Sequence, residues 1–384
     1  MIAVTALCFA ALNCTSAPQA QSNVRRLIEP GQERPRSTEL EEVSARGVWT
    51  AGLQKERAHF QLRRAKSRNK QWTNGFSIPA GELSGFGFGE DVEFQLVRDA
   101  GTFTFTGDFD GSLSEGDGAG RWTFQARTAF LDEMDRLGYA PDADQTMLFA
   151  TLDVGSDFAR GLHDVGYRVD LQQVLSMAIH GASPAYARGF LDLGYELIDS
   201  QQLVSMRSHG VTHEFARGMG EHLAPQVPAQ ELVQMSIHGV SVELAEGLKK
   251  AGYREFDAAD LQSLRIHGAK LEFIELLASR FDPRPELREV VQLRIHGANE
   301  DFVREMTKYF PEARPQELVQ MRIHGVKPAF VADMADLGYG DATTGEFVQM
   351  RIHGVTTAFV VRLREKGERD LSVQQLIQRK IHGG

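Results

Sequence analysis

Cysteine is almost absent from this chain. Its 384 residues hold two, Cys8 and Cys14, both inside the first apolar segment, so disulfides play no part in the rest of the chain. Positive charge is in deficit, with 42 Lys and Arg against 52 Asp and Glu and a net charge of -10, which argues against a nucleic-acid partner. Long apolar runs are missing too: the uncharged stretch from Ile2 to Leu12 is too short to make a spanning helix. Catalytic signatures are equally scarce. No paired carboxylates, nucleophile–base set or phosphate-cradling loop stands out, so the sequence points away from an enzyme and calls for no cofactor. Apolar residues, by contrast, make up 42% of the chain, an ordinary globular content that excludes a disordered protein.

What the sequence has in abundance is one phrase, written most fully as Met350-Arg351-Ile352-His353-Gly354-Val355. Its His-Gly pair recurs with glycines at 181, 210, 239, 268, 297, 325, 354 and 383, at steps of 29 residues with a single step of 28. A fixed period of this size is the mark of a stacked repeat protein. Each repeat reads as two short helices. Gly354 and its equivalents stop the first helix, because glycine accepts the left-handed conformation that ends helices. Thr356, Thr212, Ser241 and Asn299 are placed as N-caps of second helices, Pro184 and Pro328 as their first residues. Gly194-Tyr195, Gly252-Tyr253 and Gly338-Tyr339 close second helices with a glycine and an apolar follower.

At 100° per residue, Phe347 and Met350 fall on one side of the first helix, and Val348 and Ile352 on the opposite side. Two apolar flanks predict a helix sandwiched between preceding and following repeats, as in a solenoid.

The fold class expected is therefore α+β, a small antiparallel β-domain followed by an α-solenoid of tandem helical hairpins. Residues 1–20 read as a secretory signal, although no basic residue precedes the apolar run. A misplaced start or a longer membrane protein would explain that departure. Lipidation of Cys14 is the alternative to an ordinary signal, but Ala11-Leu12-Asn13 before it departs from the usual lipoprotein pattern. Membrane association follows only from that lipidation or from a truncated start. Residues 21–46, rich in Arg, Glu, Pro, Ser and Gln, read as a flexible linker. Residues 47–126 change to a period of two, as in Thr102-Phe103-Thr104-Phe105-Thr106, with glycine-rich turns between about six strands, and predict an antiparallel sandwich or barrel. Residues 127–384 carry the helical repeats. The copy around Leu152 to Gly155 is degenerate, as expected of a terminal unit, and the β-domain is expected to cap the array.

The phrase Val348-Gln349-Met350-Arg351-Ile352-His353-Gly354-Val355, together with Arg98-Asp99-Ala100-Gly101-Thr102-Phe103, resembles exported bacterial repeat proteins. Similar modules occur in the extracytoplasmic tails of some membrane metallopeptidases related to beta-lactam sensors. The resemblance implies the repeat module and export, to a periplasmic or envelope location. It does not carry protease activity, because the zinc motif of those peptidases needs a second histidine where Arg217 follows His213-Glu214.

Recurrent histidines also invite a metal reading. Equivalent residues on stacked helices lie about 8–10 Å apart, whereas zinc ligands lie about 2 Å from one ion, so no metal site is expected. The histidines instead suit helix C-termini, where they meet the last carbonyls and the dipole. His213 and His222 lack repeated counterparts and read as solvated. Arg207, Arg265, Arg294, Arg322 and Arg351 recur as well, and are expected to pair with Glu214, Glu243, Glu272 and Asp301. The basic run of Arg57, Arg63, Arg64, Lys66, Arg68 and Lys70 reads as a solvated edge.

If neighbouring repeats bury the apolar flanks and the arginine edge faces acids, one polar edge remains. It holds Gln234, Gln292, Gln320 and Gln349 with His238, His296, His324 and His353, donors and acceptors suited to an extended peptide. The expected function is a non-enzymatic exported scaffold for a protein or peptide. A sensory or regulatory extracytoplasmic domain of an envelope-stress or antibiotic-response system is the alternative.

Overall fold

The computed structural model describes residues 44–67 and 70–383. The segment read as a signal, Cys14, most of the linker 21–46, and Arg68 lie outside the described residues. Those described form a seven-stranded antiparallel sheet followed by eighteen helices, an α+β chain.

The strands are β1 (Ser44–Gln54), β2 (Arg57–Ser67), β3 (Lys70–Pro79), β4 (Leu83–Ser84), β5 (Gly89–Val97), β6 (Gly101–Gly111) and β7 (Glu115–Ala126). Their order in the sheet is β3-β2-β1-β7-β6-β5-β4. Two meanders are therefore joined where the first strand pairs with the last, Trp49 opposite Gly120 and Gly47 opposite Trp122. Strict alternation along β1, β2, β6 and β7 puts Trp49, Phe60, Phe103, Phe105, Trp122 and Phe124 on one face, all buried.

That face curls on itself. Phe60 on β2 stacks on Phe105 of β6 at 4.9 Å, and Phe76 on β3 reaches Phe103 at 6.5 Å, although β1 and β7 lie between these strands in the sheet. The sheet is a half-barrel filled by its own aromatic rings. Of the sandwich or barrel expected, the described residues show this single curled sheet, with the rings filling its concave side. Glycine makes room where the curl is tightest. A Cβ at Gly120 would come 2.8 Å from Trp49 Nε1, the atom that donates to the Thr106 carbonyl at 3.3 Å.

The helices Thr128–Arg136, Ala143–Thr151 and Ser156–Val165 join the sheet to the repeats. Asn74 Nδ2 donates to Thr151 Oγ1 at 2.8 Å. Arg64 pairs with Asp144 at 3.4 Å. The Asp99 carboxylate accepts from the Ser156 amide at 2.9 Å and its hydroxyl at 3.1 Å. In this degenerate copy the left-handed stop falls on Asp153, at φ 57°, a residue type that tolerates that region.

Eight first helices follow, Leu171–Ile179, Ser200–Ser208, Ala229–Ile237, Ala258–Ile266, Leu287–Ile295, Pro315–Ile323, Thr344–Ile352 and Val373–Ile381. Between them run seven second helices, Pro184–Asp192, His213–His222, Val242–Lys250, Leu271–Arg280, Glu300–Tyr309, Pro328–Met334 and Thr357–Glu365. Each first helix packs against the next first helix, and most second helices pack against the next second helix.

Local chemistry explains the boundaries. Every first helix ends on a histidine C-cap followed by a left-handed glycine, with φ from 67° at Gly239 to 93° at Gly383. The amide two residues past the cap then bonds back into the helix, as from Val355 to Met350 at 2.8 Å. Thr212, Asn299 and Thr356 accept from Phe215, Phe302 and Phe359 at 3.1, 2.9 and 3.2 Å. Ser241 occupies the N-cap position as read, but makes no side-chain capping bond to its helix.

One face of each first helix enters the core: Met206, Met235, Met321 and Met350, with Leu203, Leu232, Leu318 and Phe347, have no exposed surface. The second apolar flank is only partly buried: Val233 and Val291 are buried and Val348 is half-buried. The isoleucines before the histidines are exposed, from 46% at Ile295 to 55% at Ile266. The helical wheel ranks positions by angle but cannot say where neighbours sit, and here they cover the valine position of this flank and leave the isoleucines open.

Candidate functional site

These exposed isoleucines and the Gln-His edge together make the outer face of the first helices. Of the fourteen large apolar side chains exposed among the described residues, seven are the isoleucines at one repeat position, Ile179, Ile237, Ile266, Ile295, Ile323, Ile352 and Ile381. Scattered exposed apolar residues need no explanation, whereas an aligned set marks an interaction surface. Sequence reasoning missed this row because it assigned the isoleucines to a buried interface.

The residues expected at the site lie on this same face. Gln292, Gln320 and Gln349 are exposed, and Gln234 is half-buried. His238, His296, His324 and His353 are half-buried. Each pair is fixed by the last turn of its helix: the histidine amide bonds to the glutamine carbonyl four residues back at 3.0–3.1 Å. Among the described residues, the amide side chains of these four glutamines and the rings of these four histidines make no hydrogen bond. Their polar groups are held in place by the helix and remain open.

Not all of them are neighbours. Gln292 and Gln320 sit on consecutive helices and line one cleft of about 410 Å³ with Arg288, Glu289, Pro315, Gln316 and Val319. Gln349 stands on the next helix in contact. Gln234 is set apart, since Ser263 occupies its position on the intervening helix Ala258–Ile266.

The N-terminal margin of the face is cross-linked. The Glu289 carboxylate accepts from the Glu286 amide at 2.9 Å and from the Gln316 side chain on the next helix. Glu317 accepts from the Arg314 amide at 2.8 Å and from Thr344 Oγ1 of the following repeat at 2.7 Å. The Arg314 amide first, then the Thr344 hydroxyl, hold the Glu317 carboxyl below its usual range by bonding to the charged form.

The recurrent arginines do not pair with the acids of their own hairpins, and this expectation is corrected. Arg207, Arg294, Arg322 and Arg351 instead lie over the rings of Tyr186, Phe273, Phe302 and Phe330 at 4.8–5.3 Å. Lys380 lies over Phe359 at 4.9 Å in the same way. Arg322 Nη2 also reaches the Gly297 carbonyl at 2.5 Å. The Arg322 guanidinium therefore covers an aromatic ring of the preceding hairpin and meets the C-terminus of that hairpin's first helix, where positive charge is favoured. The acids find local partners: bonds to its own backbone amide and to Thr212 hold Glu214 low. The signal was in the sequence as an aromatic residue followed 20 or 21 positions later by a base.

Two further histidines are corrected. His213 is not solvated: its Nε2 donates to the Tyr186 carbonyl at 2.9 Å and its ring lies 4.7 Å from Phe190. His222 is half-buried.

Among the described residues no group of three His, Cys, Asp or Glu side chains could hold a metal ion. Likewise among the described residues, no helix is long and apolar enough to cross a membrane. No protein-family model, curated protein or solved structure matches the chain.

Proposed function

We propose that this protein is a non-enzymatic scaffold whose helical hairpins form one solenoid and whose first helices present a binding face to a polypeptide partner. The observation that carries the reading is the coincidence, on one face and at one repeat period, of exposed isoleucines with unpartnered glutamine amides. Apolar side chains supply the drive for association, and amides fix the register of a bound backbone. The apolar segment from Ile2 to Leu12 and the resemblance to exported repeat proteins support a place in the cell envelope, where such a scaffold would act outside the cytoplasm.

The test is selection of displayed random peptides on the full chain. Bound peptides should lose affinity for a variant carrying Ile295→Ser, Ile323→Ser and Ile352→Ser, whose thermal melt should stay within a few degrees of the parent, because half-exposed side chains contribute little to stability. Peptides that bind parent and variant alike, yet fail on Arg63→Ala with Arg121→Ala, would move the function to the sheet and refute this reading.

A further inference from the structure

The face also specifies the backbone conformation and charge of its occupant. Resting on the binding face proposed above, we infer that it takes a cationic segment in the polyproline II conformation, with one aliphatic side chain per repeat.

Three observations converge. The first is spacing. Consecutive first helices are in contact, and packed helices stand about 8–10 Å apart, so a chain running along the array meets a new isoleucine at about that interval. Three residues of polyproline II rise about 9.3 Å and complete one turn, returning every third side chain to the same side. Three residues of β-strand cover a similar length, but successive third residues point to opposite faces. Only the first would keep one side chain in each gap between isoleucines.

The second is the amide row. An α-helix with a heptad stripe would also match the interval, but its backbone groups are already bonded within the helix. A polyproline II chain leaves its carbonyls and remaining amides unbonded. Gln292, Gln320 and Gln349 are exposed, unpartnered in the protein, and carry both a donor and an acceptor. They suit such a backbone and have little to offer a helix.

The third is charge. The N-caps and first turns of the five first helices between Ala229 and Ile352 hold Glu231, Asp257, Asp260, Glu286, Glu289, Glu317 and Glu346. The bases in the same turns are Arg288 and Arg314, and both are engaged, with Glu286 at 2.8 Å and Glu317 at 3.6 Å. One margin of the face thus carries more acids than bases, and Glu289 lines the cleft beside Gln292 and Gln320 together with Arg288, which is paired with Glu286. Lysine or arginine between the aliphatic positions of the occupant complements it.

The experiment uses the full chain and a labelled probe of about five Leu-Pro-Lys triplets, one per rung, read by fluorescence anisotropy. Comparison probes are a peptide of the same composition reordered to break the triplet spacing, and a helix-forming peptide of equal charge with heptad leucines. The triplet probe should bind at least about tenfold more tightly than either. Its binding should fall at least about tenfold for Ile295→Ser, Ile323→Ser, Ile352→Ser and for Gln292→Ala with Gln320→Ala, with melts retained. Equal binding of the reordered peptide would reduce the interaction to charge and overturn the inference. Preference for the helical probe, still sensitive to the isoleucine changes, would overturn the conformation while leaving the binding face standing. Insensitivity of every probe to the isoleucine and glutamine changes would overturn both.

Discussion

Gly189, in the middle of the helix Pro184–Asp192, tests how tightly the second helices pack. A mid-helix glycine is ordinarily a weak point, and alanine there is expected to gain up to about 1 kcal/mol. Here the sign should reverse. A Cβ on Gly189 would stand 2.3, 2.5 and 2.8 Å from Nε2, Cε1 and Cδ2 of His213. That ring cannot simply swing away, because Nε2 donates to the Tyr186 carbonyl at 2.9 Å and the ring packs between Tyr186 and Phe190, with centroids at 5.2 and 4.7 Å. Overpacking costs about 1–3 kcal/mol, and the lost hydrogen bond adds about 1 kcal/mol. Against the helical gain, Gly189→Ala should destabilise by about 1–3 kcal/mol.

The internal control is Gly345→Ala in Thr344–Ile352, where the nearest atom to a new Cβ is Thr343 Oγ1 at 4.0 Å. That change should be neutral or stabilising by up to about 1 kcal/mol. Urea midpoints with unchanged slopes give both values. Adding His213→Ala should abolish most of the cost of Gly189→Ala, as expected of directly contacting residues. If Gly189→Ala proves as stable as Gly345→Ala, the close approach of second helices is wrong.

Three more outcomes follow from the same geometry. Gly268→Val places a β-branched residue at φ 67° and should cost about 1–2 kcal/mol, read from denaturant melts. Arg322→Gln removes the stack on Phe302 and the bond to the Gly297 carbonyl, and should cost about 1–2 kcal/mol. Arg304→Gln, exposed on the neighbouring second helix, should change the melt little. Burial pushes the phenols of Tyr167, Tyr186 and Tyr253 up to about 12 from an ordinary value near 10. Their contribution to stability is complete below pH 10 and is lost as pH rises through 12, because the unfolded chain releases these protons first. Phenolate absorbance should therefore rise together with loss of helical circular dichroism, and a phenolate step near pH 10 from these residues in the folded protein would contradict it.

The period of the His-Gly pairs announced the helix ends, because a left-handed stop can be read from a single residue type. Alternation announced six strands and missed β4, since two residues carry no period. The curl of the sheet was invisible: it depends on Phe76 meeting Phe103, a contact between strands that are distant in sheet order. The glutamines and histidines were legible as a set on one edge because they repeat. The isoleucines repeat just as plainly, but periodicity alone cannot distinguish an apolar position that meets a neighbour from one that meets solvent. The arginines were misassigned for a related reason. Sequence shows charges that could pair, while the structure puts the guanidinium over a ring contributed by the previous hairpin.

The ties between consecutive hairpins differ from joint to joint. Tyr139, Tyr167, Tyr253 and Tyr339 reach forward to the carbonyls of Val169, Ile198, Pro285 and Leu371, and stacked bases add a second tie at several joints. Where the ring is Phe215, the position that elsewhere holds the base is Ser236, which bonds to the His209 carbonyl at 2.6 Å instead. Pulled from its ends, such a molecule is expected to behave as a chain of unequal springs, extending first at the seam between Phe215 and Ser236. The spacing between its exposed isoleucines would then depend on tension as well as on sequence.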